Sequence, residues 1–338
     1  MSETTNSILL KLSSEGVTLE NSRAGHIASL MQGRESSDAI GLMTSLFALC
    51  PAAHVNAFTG AFEAAESGIA TESIALLSRI EAVLETIRFF SMDLRKTLDA
   101  GVADKEVLTG LARMRARLAA SLQGQSDTAL MTDATALARL WLKKEALFFE
   151  ELSDKAKEVD RFNFASELLL QTEELTDVAT LQAIALTLKD CPPFALTPRL
   201  GGARVVGAIA RGPAKPRKSL LTVRQVFQAR IDEIAGFVLG KSSPLGSLKS
   251  IPLGNHEAAS LVETARGVLL YFVRRDRKNI VWLDWIAPTE WVFQNEGIVA
   301  TLTKEAFEAG ASDAQIALIA AAFDACAEVN VIREAPHA

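Results

Sequence analysis

Two cysteines in distant parts of the chain are the residues whose chemistry best suits a metal. Cys50 is followed directly by Pro51 and, one helical turn later, by His54, in an otherwise alanine-rich stretch. Cys326 lies late in the sequence, in AAFDACAEV. Thiolates bind soft metals, and a helix N-terminus favours the thiolate over the thiol. Because Pro51 suits the first turn of a helix, the sequence predicts a lowered pKa for Cys50.

These side chains also have ordinary structural interpretations. A free cysteine in a helical protein is more often a packing residue than a ligand, and Cys191, which precedes two prolines, is best explained in that way. His54 could cap a helix or pack in the core as readily as assist a metal. The four histidines show no ligand spacing among themselves, so histidine alone does not indicate a metal site.

Composition and charge restrict the class of protein. Over 338 residues the formal net charge is −6, which argues against nucleic-acid binding because phosphates are held by clustered Lys and Arg. No apolar run is long enough to cross a bilayer, and the first residues do not resemble a signal peptide. Three widely spaced cysteines do not form a disulfide framework. We therefore expect a cytoplasmic protein that has free thiols and binds neither nucleic acid nor membrane.

The elements that must position the two cysteines are mostly predicted helices. Alanine and leucine are abundant and aromatic residues make up only 6%, which favours helix over sheet. We expect one domain over 1–338, mainly α with small β-hairpins, in the α+β class. Apolar residues at helical spacing predict helices over 37–49, 72–98, 104–123, 129–158 and 164–189 and before Gly240.

Four further segments are predicted around these helices. Alternating residues on either side of a Gly-containing turn predict a hairpin over 8–20, and a second hairpin is predicted over 267–285. Pro, Gly, Arg and Lys make 191–219 a long irregular segment, of a kind that is usually functional or mobile. The last helix is predicted over 312–330 and carries Cys326.

Most catalytic signatures are absent from the sequence. It contains no nucleophile elbow, no P-loop, no HExxH and no dinucleotide fingerprint that follows a strand. Residue types and spacing alone therefore predict a mainly helical protein of unknown activity.

Three stretches, taken together, resemble the large subunit of nickel–iron hydrogenases. LCPAAHVNAFTGAFEAA resembles the N-terminal motif, in which a CxxC pair precedes a His and an alanine-rich helix. LVETARGVLLYFVRRDRKNIVWLDWIAPTEW resembles the family's arginine-containing turn, its hairpin and its PTxW segment, and FDAC resembles the closing SFDPCxxC motif. Two weaker similarities, TLENSRAG and GGARVVGAIAR, lie in the family order. The resemblance implies a hydrogenase large-subunit-like helical core over nearly the whole chain.

One cysteine of each family pair is missing. Phe47 stands at the first position of the N-terminal pair and Val329 at the last position of the C-terminal pair, so that Cys50 and Cys326 remain. A three-residue shift of the C-terminal alignment would exchange which cysteine of that pair survives. Ile332 replaces the histidine that closes the family pattern. The resemblance thus implies that the four-thiolate set of a nickel–iron centre is incomplete.

An incomplete thiolate set changes which metal group the resemblance implies. Nickel is firmly held only by soft thiolates in sufficient number, so we expect no nickel and no hydrogen splitting. An Fe(CN)2(CO) precursor already carries most of its ligands, and Cys50 and Cys326 could hold it transiently.

The resemblance also implies residues that would support this iron group. Arg266 matches the family's arginine beside the diatomic ligands, where a guanidinium can donate to cyanide nitrogens. Glu263 is expected to orient Arg266 or His54 by a hydrogen bond, without contacting the iron group itself. Arg266 could instead simply pair with Glu263 or Asp324, as arginines near carboxylates usually do.

These features together resemble the HupK/HoxV-type accessory proteins of hydrogenase maturation, which are large-subunit-like chains that lack part of the ligand set. The resemblance implies a non-enzymatic scaffold that carries the iron precursor before its transfer to a hydrogenase large subunit. The implied partners are the maturation chaperone, the iron–sulfur assembly protein and the large-subunit precursor. Two alternatives stay open: a metal-free adaptor for the assembly proteins and a metal-dependent oxidoreductase.

Overall fold

The computed structural model describes residues 7–13, 16–21, 27–213, 215–216 and 218–334. Helix accounts for 53% and strand for 21%, so the predicted predominance of helix within an α+β class is confirmed. The helices are α1 (Ser36–Leu46), α2 (Pro51–Ser67), α3 (Leu76–Arg88), α4 (Leu94–Thr97), α5 (Lys105–Leu122), α6 (Leu130–Lys144), α7 (Ala146–Lys157), α8 (Val178–Asp190), α9 (Ala208–Arg211), α10 (Val223–Val238), α11 (Pro288–Val292), α12 (Ile298–Glu308) and α13 (Asp313–Ala322). The strands are β1 (Ser7–Ser13), β2 (Gly16–Asn21), β3 (Thr71–Ile74), β4 (Asn163–Ala165), β5 (Leu220–Thr222), β6 (Ser247–Gly254), β7 (Glu257–Thr264), β8 (Gly267–Asp276), β9 (Asn279–Ile286) and β10 (Glu328–Arg333).

The largest hydrophobic core lies among the helices. On α3, apolar residues at helical spacing such as Ile80 and Ile87 are completely buried. Phe90 continues this face through a π-helical turn that joins α3 to α4, and its ring packs edge-on against Trp141 of α6. The apolar stripe predicted over 72–98 is therefore a packing face, although the segment begins with β3 before it becomes helical.

Two predicted helices are shorter than the sequence pattern suggests. The segment 129–158 is divided into α6 and α7 at Glu145, whose buried carboxylate accepts a hydrogen bond from Arg95. In 164–189 only α8 is a long helix, and Asp177 caps its first turn. The residues before α8 form β4 and short 3-10 turns, because β4 pairs with the distant strand β5.

A five-stranded sheet lies between α2 and the helical core. Its strands run antiparallel in the order β3-β6-β7-β8-β9. Alternate residues of β8 serve opposite faces, since Tyr271 and Val273 pack with α2 while Leu270 and Phe272 belong to the main core. The sequence predicted only the hairpin formed by β8 and β9. β7 is buried on both faces, which removes the period-two pattern by which a strand is recognised, and the short exposed β3 and the half-buried β6 were missed as well. The expectation of small hairpins is therefore corrected to one five-stranded sheet.

The C-terminal segment corrects the predicted helix over 312–330. α13 ends at Ala322, Cys326 lies in an irregular turn, and β10 follows. Asp324 marks the end of the helix with a left-handed φ of 44°. The alanine-rich sequence favours helix locally, but β10 pairs in parallel with β1, and long-range pairing overrides local propensity here.

The paired strands predicted over 8–20 are present, whereas the segment 191–219 contains little regular structure. β1 and β2 pair antiparallel, and residues 14 and 15 of the intervening turn lie outside the described residues, as do residues 22–25 of the TLENSRAG similarity. Within 191–219 the described residues include a short 3-10 helix, Pro192–Leu196, and the single turn α9.

No helix in the described part of the chain is long and apolar enough to cross a membrane.

Gly60 lies where α2 comes closest to the sheet. A Cβ atom at this position would be 2.5 Å from Ser250 Oγ, 3.1 Å from Ser260 Oγ and 3.2 Å from Leu248 Cδ1. Alanine normally stabilises a helix interior relative to glycine. Here Gly60→Ala should instead lower the free energy of unfolding by about 1–3 kcal/mol, because the added methyl group overpacks the interface. Urea unfolding measures the difference.

Gly41→Ala in α1 is the matched control for this substitution, because a Cβ atom at Gly41 meets nothing within 4 Å. It should leave the free energy of unfolding unchanged or raise it by up to about 1 kcal/mol. Equal effects at the two glycines would contradict the close approach of α2 to the sheet.

Candidate functional site

Cys50 occupies a strained backbone position between α1 and α2. Its backbone is left-handed, with φ 59° and ψ 35°, and it directly precedes Pro51, the first residue of α2. A residue other than glycine holds this conformation only where its surroundings determine it, at a cost of about 1–3 kcal/mol. Cys50 is only 8% exposed, so the thiol is held inside the protein.

A carboxylate already occupies the N-terminus of α2. Glu81 of α3 accepts hydrogen bonds from the amides of Ala52 and Ala53, at 2.8 and 2.9 Å. Burial raises the pKa of Glu81 to about 8, although these amides act in the opposite direction. Burial also raises the pKa of the Cys50 thiol well above its ordinary value, and Arg266 opposes this only in part. The predicted lowering of the Cys50 pKa is therefore wrong.

Arg266 connects Cys50 to two acidic side chains. Its Nη1 donates to Cys50 Sγ at 3.3 Å, its Nη2 lies 3.4 Å from Glu85 Oε2, and its Nε lies 3.3 Å from Asp324 Oδ2. Asp324 also accepts from Arg230 Nη2 at 2.6 Å. Glu85 belongs to α3 and Asp324 to the turn after α13, so one guanidinium joins three distant segments. The pairing with Asp324 that the sequence left open is present.

The turn that carries Arg266 is determined by its immediate neighbours. Thr264 Oγ1 accepts from the Arg266 amide at 3.2 Å and donates to the carbonyl oxygen of Gly267 at 2.8 Å. Gly267 has a φ of 134°, and a Cβ atom there would lie 2.7 Å from the side chain of Val206. Only glycine fits, which gives a physical reason for the Arg-Gly sequence of the motif.

Cys326 reaches the same cavity from the other end of the chain. Thr289 Oγ1 of α11 lies 3.0 Å from both the amide nitrogen and the Sγ of Cys326. Cys50, Cys326, Arg266 and His54 all line one cavity of about 430 Å³. The structure thus brings both predicted thiols together with two of the three side chains predicted to support them.

An aromatic wall holds His54 beside this cavity. Its Nδ1 lies 2.7 Å from the hydroxyl of Tyr271, whose pKa burial raises well above its usual value. The His54 ring stacks on Phe47 with 3.6 Å between ring centroids and an angle of 4° between the ring planes. Trp285 meets both Phe47 and His54 edge-on. Phe47, at the position of the missing N-terminal cysteine, is therefore part of the wall.

Glu263 does not join the thiol cavity in the expected way. Its carboxylate accepts from Arg211 Nη1 at 2.7 Å and from the hydroxyl of Thr172. Arg211 also binds Glu233 of α10, at 2.8 Å from each of its oxygens. The expectation that Glu263 orients Arg266 or His54 is corrected, because its two oxygens bind other partners and tie α9 to the sheet.

Sequence reasoning missed three polar residues of the site, namely Glu81, Glu85 and Thr289. Both glutamates are off the apolar stripe of α3, which suggests solvent exposure, yet each is only 3% exposed. Their spacing of one helical turn was the available signal, because it places both carboxylates on one side of the helix. Thr289 lay within the PTEW segment that carries the resemblance.

The protein side chains of this site make an unusual donor set. In the described ranges, no group of three or more His, Cys, Asp or Glu side chains is arranged to hold one metal ion. The cavity offers two sulfur atoms, the imidazole of His54 and a buried guanidinium, and the carboxyl side chains of Asp284 and Glu290 also line it.

Comparisons with known proteins agree with the motif-based expectation. No family model matches the chain. The hydrogenase expression/formation protein HupK of Bradyrhizobium diazoefficiens is 29% identical over an alignment of 339 positions, gaps included, which covers 92% of this chain and 91% of HupK. The predicted resemblance to HupK is confirmed.

Solved hydrogenases share the fold of this chain. An NAD+-reducing NiFe hydrogenase aligns with a TM-score of 0.56 and 15% identity, over 92% of each chain. The Ni-Fe-Se hydrogenase of D. vulgaris Hildenborough aligns with a TM-score of 0.53 and 13% identity, over 93% of this chain and 94% of the other. At such identities the similarity concerns the fold, which is that of hydrogenase large subunits.

Phe47 and Val329, which stand where the family has a cysteine, lie in two different cavities. Phe47 lines the cavity that contains both thiols. Val329 lies on β10 and lines a neighbouring cavity of about 670 Å³. A thiol restored at Phe47 would therefore join Cys50 and Cys326, whereas a thiol at Val329 would enter the other cavity.

Phe47→Cys should create a third sulfur ligand in the thiol cavity. Soft thiolates bind transition metals in proportion to their number, so the affinity for Co(II) should rise by about tenfold or more. Anaerobic titration, followed by the absorption of the thiolate–cobalt bond, measures this affinity. Phe47→Ser removes the ring without adding sulfur, and Val329→Cys adds sulfur in the other cavity. Equal affinity in Phe47→Cys and Phe47→Ser would show that residue 47 does not reach the bound ion.

Arg211→Met should strongly destabilise the protein. The substitution leaves the buried carboxylate of Glu263 and the partly buried one of Glu233 without their cation, and breaking a buried ion pair costs about 3–5 kcal/mol. Arg199→Met is the control, because the ion pair between Arg199 and Glu296 is exposed and should contribute less than about 1 kcal/mol. Urea unfolding of both variants measures these losses of unfolding free energy. Similar losses in the two variants would contradict the structural role of Glu263.

Proposed function

We propose that this protein is a non-enzymatic hydrogenase maturation factor, a scaffold that transiently carries an Fe(CN)2(CO) precursor on Cys50 and Cys326 before transfer to a hydrogenase large subunit. The observation that carries the proposal is the shared cavity, which both thiols line together with Arg266. The name of the HupK relative, a hydrogenase expression/formation protein, supports a role in maturation.

The donor set suits a metal group that brings its own ligands. Two thiolates are too few to hold nickel firmly, so no nickel is expected. Iron that already carries two cyanides and one carbon monoxide needs few ligands from the protein. A site with only two sulfurs also releases its cargo more readily than a complete site, which transient carriage requires.

Arg266 supplies the positive charge that such a cargo needs. Two thiolates and two cyanides on one ferrous ion make an anionic group, and its charge must be balanced where water is excluded. The guanidinium lies 3.3 Å from Cys50 Sγ and is buried. It can donate hydrogen bonds to an anion while it remains bound to Glu85 and Asp324, since it carries five N–H groups.

The partners belong to the same proposal. A maturation chaperone and an iron–sulfur assembly protein would deliver the iron group, and a hydrogenase large-subunit precursor would receive it. The mouth of the thiol cavity, lined by exposed Leu46 and half-buried Phe47, Ala195 and Leu196, is the route by which cargo would pass.

A metal-free adaptor for the assembly proteins is the second candidate function. The observation in its favour is the burial of Cys50, which raises the pKa of its thiol and so opposes formation of the thiolate that would bind iron. An adaptor would bind its partner proteins without iron.

Infrared spectroscopy of the protein, purified anaerobically with its assembly partners, tests iron carriage. Cyanide and carbonyl stretching bands should be present and should disappear in the Cys50→Ser/Cys326→Ser double variant. Cys191→Ser is the matched control, because Cys191 is exposed and does not line the cavity; it should retain the bands.

Three results would count against this proposal. Bands that persist in the double variant would remove the two cysteines as ligands. Bound partner without any bands would favour the adaptor. Hydrogen-dependent dye reduction by the purified protein would contradict a non-enzymatic role.

A further inference from the structure

One hydroxyl group contacts both the backbone and the sulfur of Cys326. Thr289 is the second residue of α11 and is 1% exposed. The Cys326 amide donates to Thr289 Oγ1 at 3.0 Å, and Cys326 Sγ lies 3.0 Å from the same oxygen. Because a hydroxyl can accept two hydrogen bonds and donate one, Thr289 can hold both atoms at once.

Cys326 depends on such a contact because no regular element holds it. It lies in the irregular turn between α13 and β10 and is only half-buried. Two residues earlier, Asp324 anchors the turn through Arg230 and Arg266. The turn is therefore fixed by ion pairs at Asp324 and by Thr289 at the cysteine itself.

The Thr289 hydroxyl does not form a capping hydrogen bond with its own helix, α11. No side-chain hydrogen bond caps α11. Among the described residues, both hydrogen bonds of this hydroxyl are with Cys326. A buried hydroxyl without a partner would be costly, so Thr289 and Cys326 satisfy each other.

We infer that Thr289 is a positioning residue that holds the Cys326 sulfur in the cavity shared with Cys50. The identity of the cargo rests on the proposed function, but the contact between Thr289 and Cys326 does not. The two sulfurs are then held differently, Cys50 by a buried cation and Cys326 by a neutral hydroxyl. Removal of the hydroxyl acts on one sulfur ligand and leaves the other in place.

The S–H stretching band of Cys326 tests this contact directly. In a Cys50→Ser/Cys191→Ser background, Cys326 is the one remaining thiol, because the chain contains three cysteines. Thr289→Val removes the hydroxyl at nearly constant shape and should shift the band. Thr289→Ser keeps the hydroxyl and should restore the frequency. One frequency in all three proteins, or a serine variant that matches the valine variant, would overturn the inference.

Hydrogen exchange at the Cys326 amide gives a second readout. In the full-length protein, Thr289→Val should accelerate exchange by about tenfold, because the amide loses its acceptor, whereas Thr289→Ser should not. Unchanged urea midpoints show that the variants are folded. Unchanged exchange in the valine variant would contradict the positioning role.

Cargo retention then separates this inference from the proposed function. If the wild-type protein shows cyanide and carbonyl bands, they should be weaker in Thr289→Val and retained in Thr289→Ser; equal bands in both would overturn the positioning role. If the wild-type protein shows none, the proposed function fails, and the S–H band still decides the role of Thr289.

Discussion

A buried guanidinium is the constraint on which the rest of the site depends. The Arg266 side chain is 2% exposed, and a charge removed from water is stable only when opposite charges and hydrogen-bond acceptors surround it. Glu85 comes from α3, Asp324 from the C-terminal turn, and the sulfur of Cys50 from the start of α2. These three segments, which are far apart along the chain, must therefore close around one side chain.

This closure explains why the two thiols share a cavity although their surroundings differ. Cys50 is locked by a left-handed backbone and contacts the cation, while Glu81 takes the helix N-terminus that would otherwise favour its thiolate. Cys326 lies two residues beyond Asp324 and contacts a neutral hydroxyl. The result is a pair of sulfur atoms in unequal surroundings beside one positive charge, an arrangement that suits the proposed carriage of an anionic iron group.

The elements of the fold were predictable where a local sequence pattern marks them and were missed where pairing with distant segments decides them. The stripe on α3 has one apolar side and was recognised from its spacing. β7 is buried on both faces, so its sequence shows no alternation and it was missed, whereas β8 was recognised together with β9 as a hairpin. The alanine-rich sequence after 312 favoured a helix up to 330, but pairing of β10 with β1 forms only when distant parts of the chain meet.

By itself, the sequence determined the chemistry that is present and its order along the chain. Cys50, Cys326 and the turn that contains Arg266 were sufficient to predict the resemblance to HupK and to hydrogenase large subunits, because motifs are local patterns of residue type. Only the tertiary structure decided that Glu263 binds Arg211 and that Phe47 lines the thiol cavity. Packing selects the neighbours of a buried side chain among residues far away in the sequence, and residue type alone does not encode that selection.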